Sequence, residues 1–412
     1  MSSPARRSRA ATTVRRTPWV LFALLAALLS STGCSGDEAS EDDSSDTSTS
    51  AADSTGGESD GDGAAPATPI VLNGQGNHLD AWSIEGSETA SQRVVTSAAA
   101  DPEDGIDINA QICLFESGGR RMMIAGEDTG QPDPPAGWGI FELSGDAVGN
   151  LSAEQVAKLT PTYQQADADK PENYGCAVLD DGRILTTDIG DQVEGANGQL
   201  ILWFPPFDGR GEGDIAYCKL DVALPGAQSI LLTGEETFLV AAVRGGIYEY
   251  SGPLPTDDTP EGGCDSTDAT GRPLATGVPK RLLVEPGADG MATPAGLAHA
   301  PDNGFFASSV FSGVINEYEG DGSLRRSILS PPEGEVIAEE PYSTGTPLGL
   351  VTDSLGNLWY ADIGLVIDGT EVGPGEETGS LRVIRFEAGT PEAPVVVGDG
   401  LAFPDGLGTF TP

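Results

Sequence analysis

From residue 70 to the C terminus, short runs of alternating apolar and polar residues recur, separated by turns rich in Gly, Asp and Asn. Alternation of period two reads as half-buried β-strand, and Asx-Gly between two such runs reads as a tight hairpin. The clearest copy is Gly349-Leu350-Val351-Thr352-Asp353-Ser354-Leu355-Gly356-Asn357-Leu358-Trp359-Tyr360-Ala361-Asp362-Ile363-Gly364. A second runs from Gly175 through Asp181-Gly182 to Asp188-Ile189-Gly190, and a third from Gly296 through Asp302-Asn303-Gly304 to Ser309. Each copy is followed by a loop, a Gly and another short strand, such as Gln199–Phe204, Gly313–Tyr318 or Gly379–Phe386. Repeats at intervals of tens of residues decide the fold before any single element does.

Along the chain, the first full repeat spans Ile108–Leu143, the second begins near Asn173, and the third, more degenerate, covers Gln228–Val284. That third repeat carries a polar insertion from Pro253 to Pro279. The fourth starts at Pro294 and the fifth at Thr346. Leu151–Leu159 reads as a helical turn or two, and Asp214–Leu220 as the outer strand of the second repeat. Gly400–Phe410 is an interrupted repeat, and strands between 70 and 100 supply what it lacks. The expected fold is therefore an all-β, six-bladed β-propeller whose ring is closed by N- and C-terminal strands; the weak third repeat leaves five or seven blades open. Closure removes the free edges that a row of sheets would expose.

The first 33 residues have a different character. Arg6, Arg7, Arg9, Arg15 and Arg16 precede an uncharged apolar run, Trp19–Leu29, too short for a comfortable membrane span. The run ends at Ser31-Thr32-Gly33-Cys34, the pattern of a bacterial lipoprotein signal with Cys34 as the lipidated residue. Residues 34–68 hold no aromatic and no basic side chain and form an acidic tether that cannot build a core. The propeller domain is assigned to residues 69–412. The expected location is the extracytoplasmic face of a bacterial membrane, the outer membrane where the cell has one, with membrane contact through the lipid alone.

Charge narrows the partners. The net charge is −43, and loss of residues 1–33 removes five arginines and no acids, which takes it to −48. Only four lysines occur: Lys158, Lys170, Lys219 and Lys280. Such a chain repels nucleic acid phosphates and anionic lipid headgroups, so no nucleic acid partner is expected, and it suits high salt. Cys113, Cys176, Cys218 and Cys264 make an even set outside the cytoplasm, which points to two disulfides with three pairings open. Equivalent positions of Cys113 and Cys176 in their repeats favour Cys113–Cys176 with Cys218–Cys264.

The repeats at Thr293–Tyr318, Thr346–Phe386 and Pro404–Leu407 resemble the six-bladed propellers of the gluconolactonase, strictosidine-synthase-like and NHL group. That resemblance implies a divalent cation, often calcium, at the axial channel. Asp405 stands where those enzymes commonly place a metal-binding Asn, whereas Ala295 and Leu348 fill the same place in two other repeats. Asn109, Asn173, Glu127, Asp128, Asp188 and Asp362 come from equivalent strand ends, and oxygen ligands converging from separate blades suit a hard cation. The competing reading makes Asp128, Asp188 and Asp362 turn-building residues that accept backbone N–H bonds. Asp181, Asp302 and Asp353 read as turn residues, and Trp138, Trp203 and Trp359 as core.

His299, on an inner strand, is a candidate base, while no nucleophile elbow, Walker loop, dinucleotide fingerprint or zincin motif occurs. Two functions follow: a lipid-tethered binding or scaffold propeller for a small molecule or protein, or a divalent-cation-dependent hydrolase of a lactone or small ester.

Overall fold

A computed structural model describes residues 67–75, 78–85, 88–96, 108, 110–126, 137–159, 173–190, 197–207, 215–369 and 371–412. These residues form six four-stranded antiparallel blades arranged as a β-propeller. In each of the first five blades the chain runs from the axis outward. Blade 1 is Cys113–Ser117, Arg120–Gly126, Trp138–Ser144 and Ser152–Leu159; blade 2 is Asn173–Val178, Ile184–Asp188, Gly198–Trp203 and Tyr217–Leu224. Blade 3 is Ala227–Leu232, Thr237–Ala242, Gly246–Ser251 and Lys280–Val284. Blade 4 is Pro294–His299, Phe305–Ser309, Val314–Tyr318 and Leu324–Leu329. Blade 5 is Pro347–Thr352, Leu358–Asp362, Gly379–Ile384 and Val395–Leu401.

Blade 6 is built from both ends of the chain. Its innermost strand is the C-terminal Pro404–Phe410, and Ile70–Gln75, His78–Glu85 and Glu88–Thr96 complete it. Ile70 pairs with Phe410 and Gln75 with Pro404, so the last strand of the chain locks onto the first. The innermost strand of every blade touches the innermost strands of both neighbours all the way round.

The recurrent glycines have a reason in this packing. A Cβ on Gly175 would run into the carbonyl of Gln228 in the next blade, and one on Gly406 into the backbone of Ala110. Hydroxyls stitch the same contacts. Thr187 Oγ1 accepts the Gly175 N–H (2.6 Å) and donates to the Gln228 carbonyl (2.7 Å). Ser308 does the same between Gly296 (2.8 Å) and Leu348 (2.9 Å). Each bridge satisfies a backbone N–H and a carbonyl that would otherwise be buried without partners.

Leu151–Leu159 is a correction to the sequence reading: Ser152–Leu159 is the outer strand of blade 1, not a helix. Ala, Glu, Gln and Lys favour helix locally, but pairing with Trp138–Ser144 on one side overrides propensity. The other side of this strand pairs in parallel with blade 6, Val95 against Ser152, so two blades share one eight-stranded sheet. The outer strand of blade 2 lies at Tyr217–Leu224, shifted from the expected Asp214–Leu220. The Pro253–Pro279 insertion crosses from blade 3 to blade 2, where Ser266–Thr267 and Pro273–Leu274 extend that sheet to six strands.

Both disulfides carry the favoured pairing, Cys113–Cys176 and Cys218–Cys264, each with a Cα–Cα distance of 6.0 Å. The first ties the inner strands of blades 1 and 2; the second ties the insertion to blade 2. Trp138, Trp203 and Trp359 are buried core, with Trp203 Nε1 donating to Thr186 Oγ1 and Trp359 Nε1 to Asp353 Oδ2, both at 2.8 Å.

The axial mouth as candidate functional site

The starts of the inner strands gather at one face of the ring. One residue before each recurrent Gly, or its counterpart, the inner strands present Ala110, Tyr174, Gln228, Ala295, Leu348 and Asp405, all buried. Asp405 is the single carboxylate in this ring. Tyr174 is its neighbour across the small Ala110. Burial first, and then the Asp405 carboxylate, holds the Tyr174 phenol well above its ordinary pKa, so it stays neutral and is no base at physiological pH.

The strand-end acids lie on this face, since Asp188 pairs with Asn173 and Asp362 with Pro347. Their oxygens serve the blades. Asp362 Oδ1 accepts the N–H of Thr346 (2.7 Å) and of Gly364 (3.0 Å), and Oδ2 accepts the Ser380 hydroxyl (2.8 Å) and pairs with Arg382 (2.9 Å). Asp188 Oδ1 accepts the Gly190 N–H at 3.1 Å. In both Asp-Ile-Gly triplets the carboxylate closes an Asx-turn onto a glycine with positive φ, 71° at Gly190 and 63° at Gly364. In blade 4 the Ser309 hydroxyl takes the Asp position and accepts the Thr293 N–H at 3.0 Å.

The residue after each of these anchors is thrown inward. Ile189, Val310 and Ile363 join Tyr174, Ala295, Leu348 and Leu365 in one buried apolar cluster, with Phe311, Ile337, Val372 and Phe403 packed on it. This cluster closes the mouth. Leu365 and Val372 belong to an extra hairpin, Leu365–Asp368 with Glu371–Pro374, rooted in blade 5.

The remaining predicted residues fall out as follows. Asn173 is buried on the mouth face beside Tyr174. Asn109, Glu127, Asp128 and Cys34 lie outside the described residues. His299 is exposed at the far end of its strand from Pro294; four residues of strand put it about 13 Å from Ala295. Desolvation lowers its pKa. Asp353 is a turn-builder, accepting the N–H groups of Leu355 and Asn357, both at 2.9 Å. Among the described residues no three His, Cys, Asp or Glu side chains are grouped to hold a metal. Sequence reasoning missed Tyr174, Gln228 and the three inward aliphatic residues. The position before the recurrent Gly was the signal for Tyr174, whereas Gln228 precedes Ser229 and lacks it.

No family model and no curated protein matches the chain. Among solved structures, it is similar to a gluconolactonase from Xanthomonas campestris at 13% identity, covering 74% of this chain and 85% of that one, with a TM-score of 0.38. It is similar to virginiamycin B lyase from Staphylococcus aureus at 10% identity, over 79% and 87% of the two chains, with a TM-score of 0.39. A chain of a nidogen–laminin complex aligns at 9% identity over 83% and 98%, with a TM-score of 0.45. Likenesses this distant bear on shape and not on chemistry.

Proposed function

We propose that the chain is a binding or scaffold propeller, anchored through lipid on Cys34 at the extracytoplasmic face of a bacterial membrane, with the axial mouth as its ligand-facing surface. The observation that carries this reading is the composition of the mouth. Of six ring positions, Ala110, Ala295 and Leu348 offer no side-chain oxygen, and the mouth above them is sealed by aliphatic residues. Calcium takes about six to eight oxygens. The described ring supplies one carboxylate, one amide and one phenol, and the Asp362 oxygens already accept protein donors. Such a set fits a binding surface better than a cation cage.

Two further facts support the location. Paired cysteines belong to an oxidising compartment. Ile70, the first strand residue after the tether, lies at the face opposite the mouth, because Gln75, at the other end of its strand, is the residue paired with Pro404. A lipid-held domain would therefore carry its mouth away from its point of attachment. Expressed in a bacterial host, the protein is expected to partition into detergent, with diacylglycerol on the peptide beginning at Cys34. A Cys34→Ser chain is expected in the aqueous phase. Detergent partition of that variant would overturn the anchor.

One observation favours a second reading, cation-dependent hydrolysis of a lactone or small ester: the buried Asp405 carboxylate at the axis beside Tyr174. A calcium titration with and without Asp405→Ala, run beside a lactone turnover assay, separates the two. Saturable calcium binding together with turnover, both lost in the variant, would replace the binding reading.

A further inference from the structure

We propose that the outer edge of blade 5, Val395–Leu401, is an association surface on which a second copy of this chain adds the same strand, antiparallel, about a two-fold axis. The inference is independent of what the axial mouth binds.

The outer strands of the six blades are not left alike. Those of blades 6 and 1 pair with each other, and that of blade 2 is covered by Pro273–Leu274 of the insertion. Among the described residues, the outer strands of blades 3, 4 and 5 have no strand beyond them. An unpaired edge offers a row of N–H and C=O groups to any extended chain, and charged side chains along it keep strands off. Blade 3 carries Lys280 and Arg281 there, held by Asp221 at 2.8 Å and Glu249 at 2.7 Å. Blade 4 carries Arg325 and Arg326, both paired with Glu317, at 2.7 Å and 2.6 Å. Blade 5 has neither Lys nor Arg in Val395-Val396-Val397-Gly398-Asp399-Gly400-Leu401. Val395 and Val396 are each 46% exposed, on opposite faces of the strand, and Val397 packs on the core cluster shared by blades 5 and 6. Uncharged β-branched residues exposed on both faces suit another strand better than water.

The placing of the charges identifies the occupant. Glu392 and Asp399 are the acids that flank the valines, and both are exposed. A two-fold axis across an antiparallel pair sets one residue opposite itself, so opposed residues always lie an even number of positions apart. Glu392 and Asp399 lie an odd number apart and therefore cannot meet. Centred on Val396, the pairing sets Glu392 opposite the partner's Gly400, Asp399 opposite the partner's Ala393, and Val395 opposite the partner's Val397. No like charges are directly opposed, which is what an edge must satisfy to pair with itself. Pro394 at one end and a bulge at Val397 keep the free edge short, so the association is weak and specific to this strand. The net charge of −43 opposes the approach of two copies, and salt screens that repulsion. Self-association therefore strengthens as salt rises. Addition of a basic extended peptide to the same edge would weaken as salt rises.

Sedimentation equilibrium of the full chain carrying Cys34→Ser tests the edge. A monomer is expected at about 20 mM salt and a monomer–dimer equilibrium at about 1 M. An interface this small should give a dissociation constant of about 0.1 mM. Val396→Lys, which sets two lysines face to face, is expected to weaken the dimer by about tenfold or more. Leu324→Lys, at an exposed position on the blade 4 edge, should leave it unchanged. Thermal melts of both variants establish that they fold. As a second measurement, Val396→Cys is expected to form a disulfide between two copies under mild oxidation at high salt, and Leu324→Cys is not. A chain that stays monomeric at every salt concentration would overturn the proposal. So would a dimer that survives Val396→Lys or does not cross-link through position 396, or an association that weakens as salt rises.

Discussion

Lys219, on the outer strand of blade 2, and Asp268, in the insertion sent across from blade 3, form an ion pair of 2.6 Å with the lysine side chain wholly buried and that of Asp268 only 7% exposed. Burial lowers the Lys219 pKa, against the pull of Asp268. At Asp268, burial alone would raise the pKa; hydrogen bonds from Lys219, Arg272 N–H and Thr270 outweigh it and hold the carboxyl at about 2. Together with the Cys218–Cys264 bridge, this pair fixes the insertion to its neighbour's edge.

Breaking the pair from one side is expected to cost more than removing it. Lys219→Met leaves a buried carboxylate and should destabilise by about 3–5 kcal/mol, whereas Lys219→Met with Asp268→Asn should recover much of that. Urea denaturation of the two variants checks it. Because the folded pKa of Asp268 is depressed, its stabilisation is present above the unfolded value of about 3.9 and is lost as pH falls through about 2. Acid unfolding of Asp268→Asn should show a weaker pH dependence across that window.

Asp362→Ala removes acceptors for Thr346, Gly364 and Ser380 and leaves Arg382, itself largely buried, without this partner. A loss of about 3 kcal/mol or more is expected. Asp362→Asn, which keeps one acceptor oxygen, should lose less. Thermal melts of both variants decide the matter; equal small losses would mean that the hydrogen bonds add little.

Buried phenols set an alkaline limit. Burial and nearby carboxylates raise the pKa of Tyr174 and Tyr250, and burial raises that of Tyr360. A raised folded pKa contributes stability that is intact below the unfolded value of about 10 and is lost as pH rises above it. Stability should therefore fall steeply above about pH 10, and absorbance at the phenolate band should rise with unfolding rather than before it. Tyr174→Phe is expected to soften that dependence. Early titration of the buried tyrosines would contradict the assignment.

The disulfides close segments of 63 and 46 residues. On the chain-entropy account each is worth about 4 kcal/mol. Cys113→Ala with Cys176→Ala, and Cys218→Ala with Cys264→Ala, should each lower the unfolding midpoint by a similar amount. The second pair should also raise hydrogen exchange in 253–279 selectively, since the insertion depends on it.

Ring closure is testable at one atom. A side chain at Gly406 would overlap the backbone of Ala110 in blade 1. Gly406→Val is expected to destabilise by about 4 kcal/mol or more, at the severe end for a single substitution. Gly389→Val, at a solvent-facing turn with positive φ and open space around it, should cost far less. Circular dichroism melts of the pair compare packing with turn strain.

The blades were legible because their signals are local. Alternation, Asx-Gly turns and the Gly-apolar start all act within about fifteen residues, and that is the range over which a hairpin is specified. The split blade was legible because the half-repeats at residues 70–96 and 404–410 have no other partners. Leu151–Leu159 was misread because its composition favours helix, while the partner that makes it a strand lies in sheet geometry no local pattern reports.

By itself the sequence determined a closed ring of strand repeats, the likeness of Asp188 and Asp362, and four cysteines set to pair. Tertiary structure decided what those aspartates do and what fills the axis. Ile189, Val310 and Ile363 each sit one residue beyond an anchor and look like ordinary strand residues in the chain. They become a seal because three blades deliver them to one point, and Asp362 is committed to backbone and Arg382 because those groups arrive beside it. Convergence of Ile189 on Val310 and Ile363, more than a hundred positions further along the chain, is a property of the ring, and a repeat read singly does not contain it.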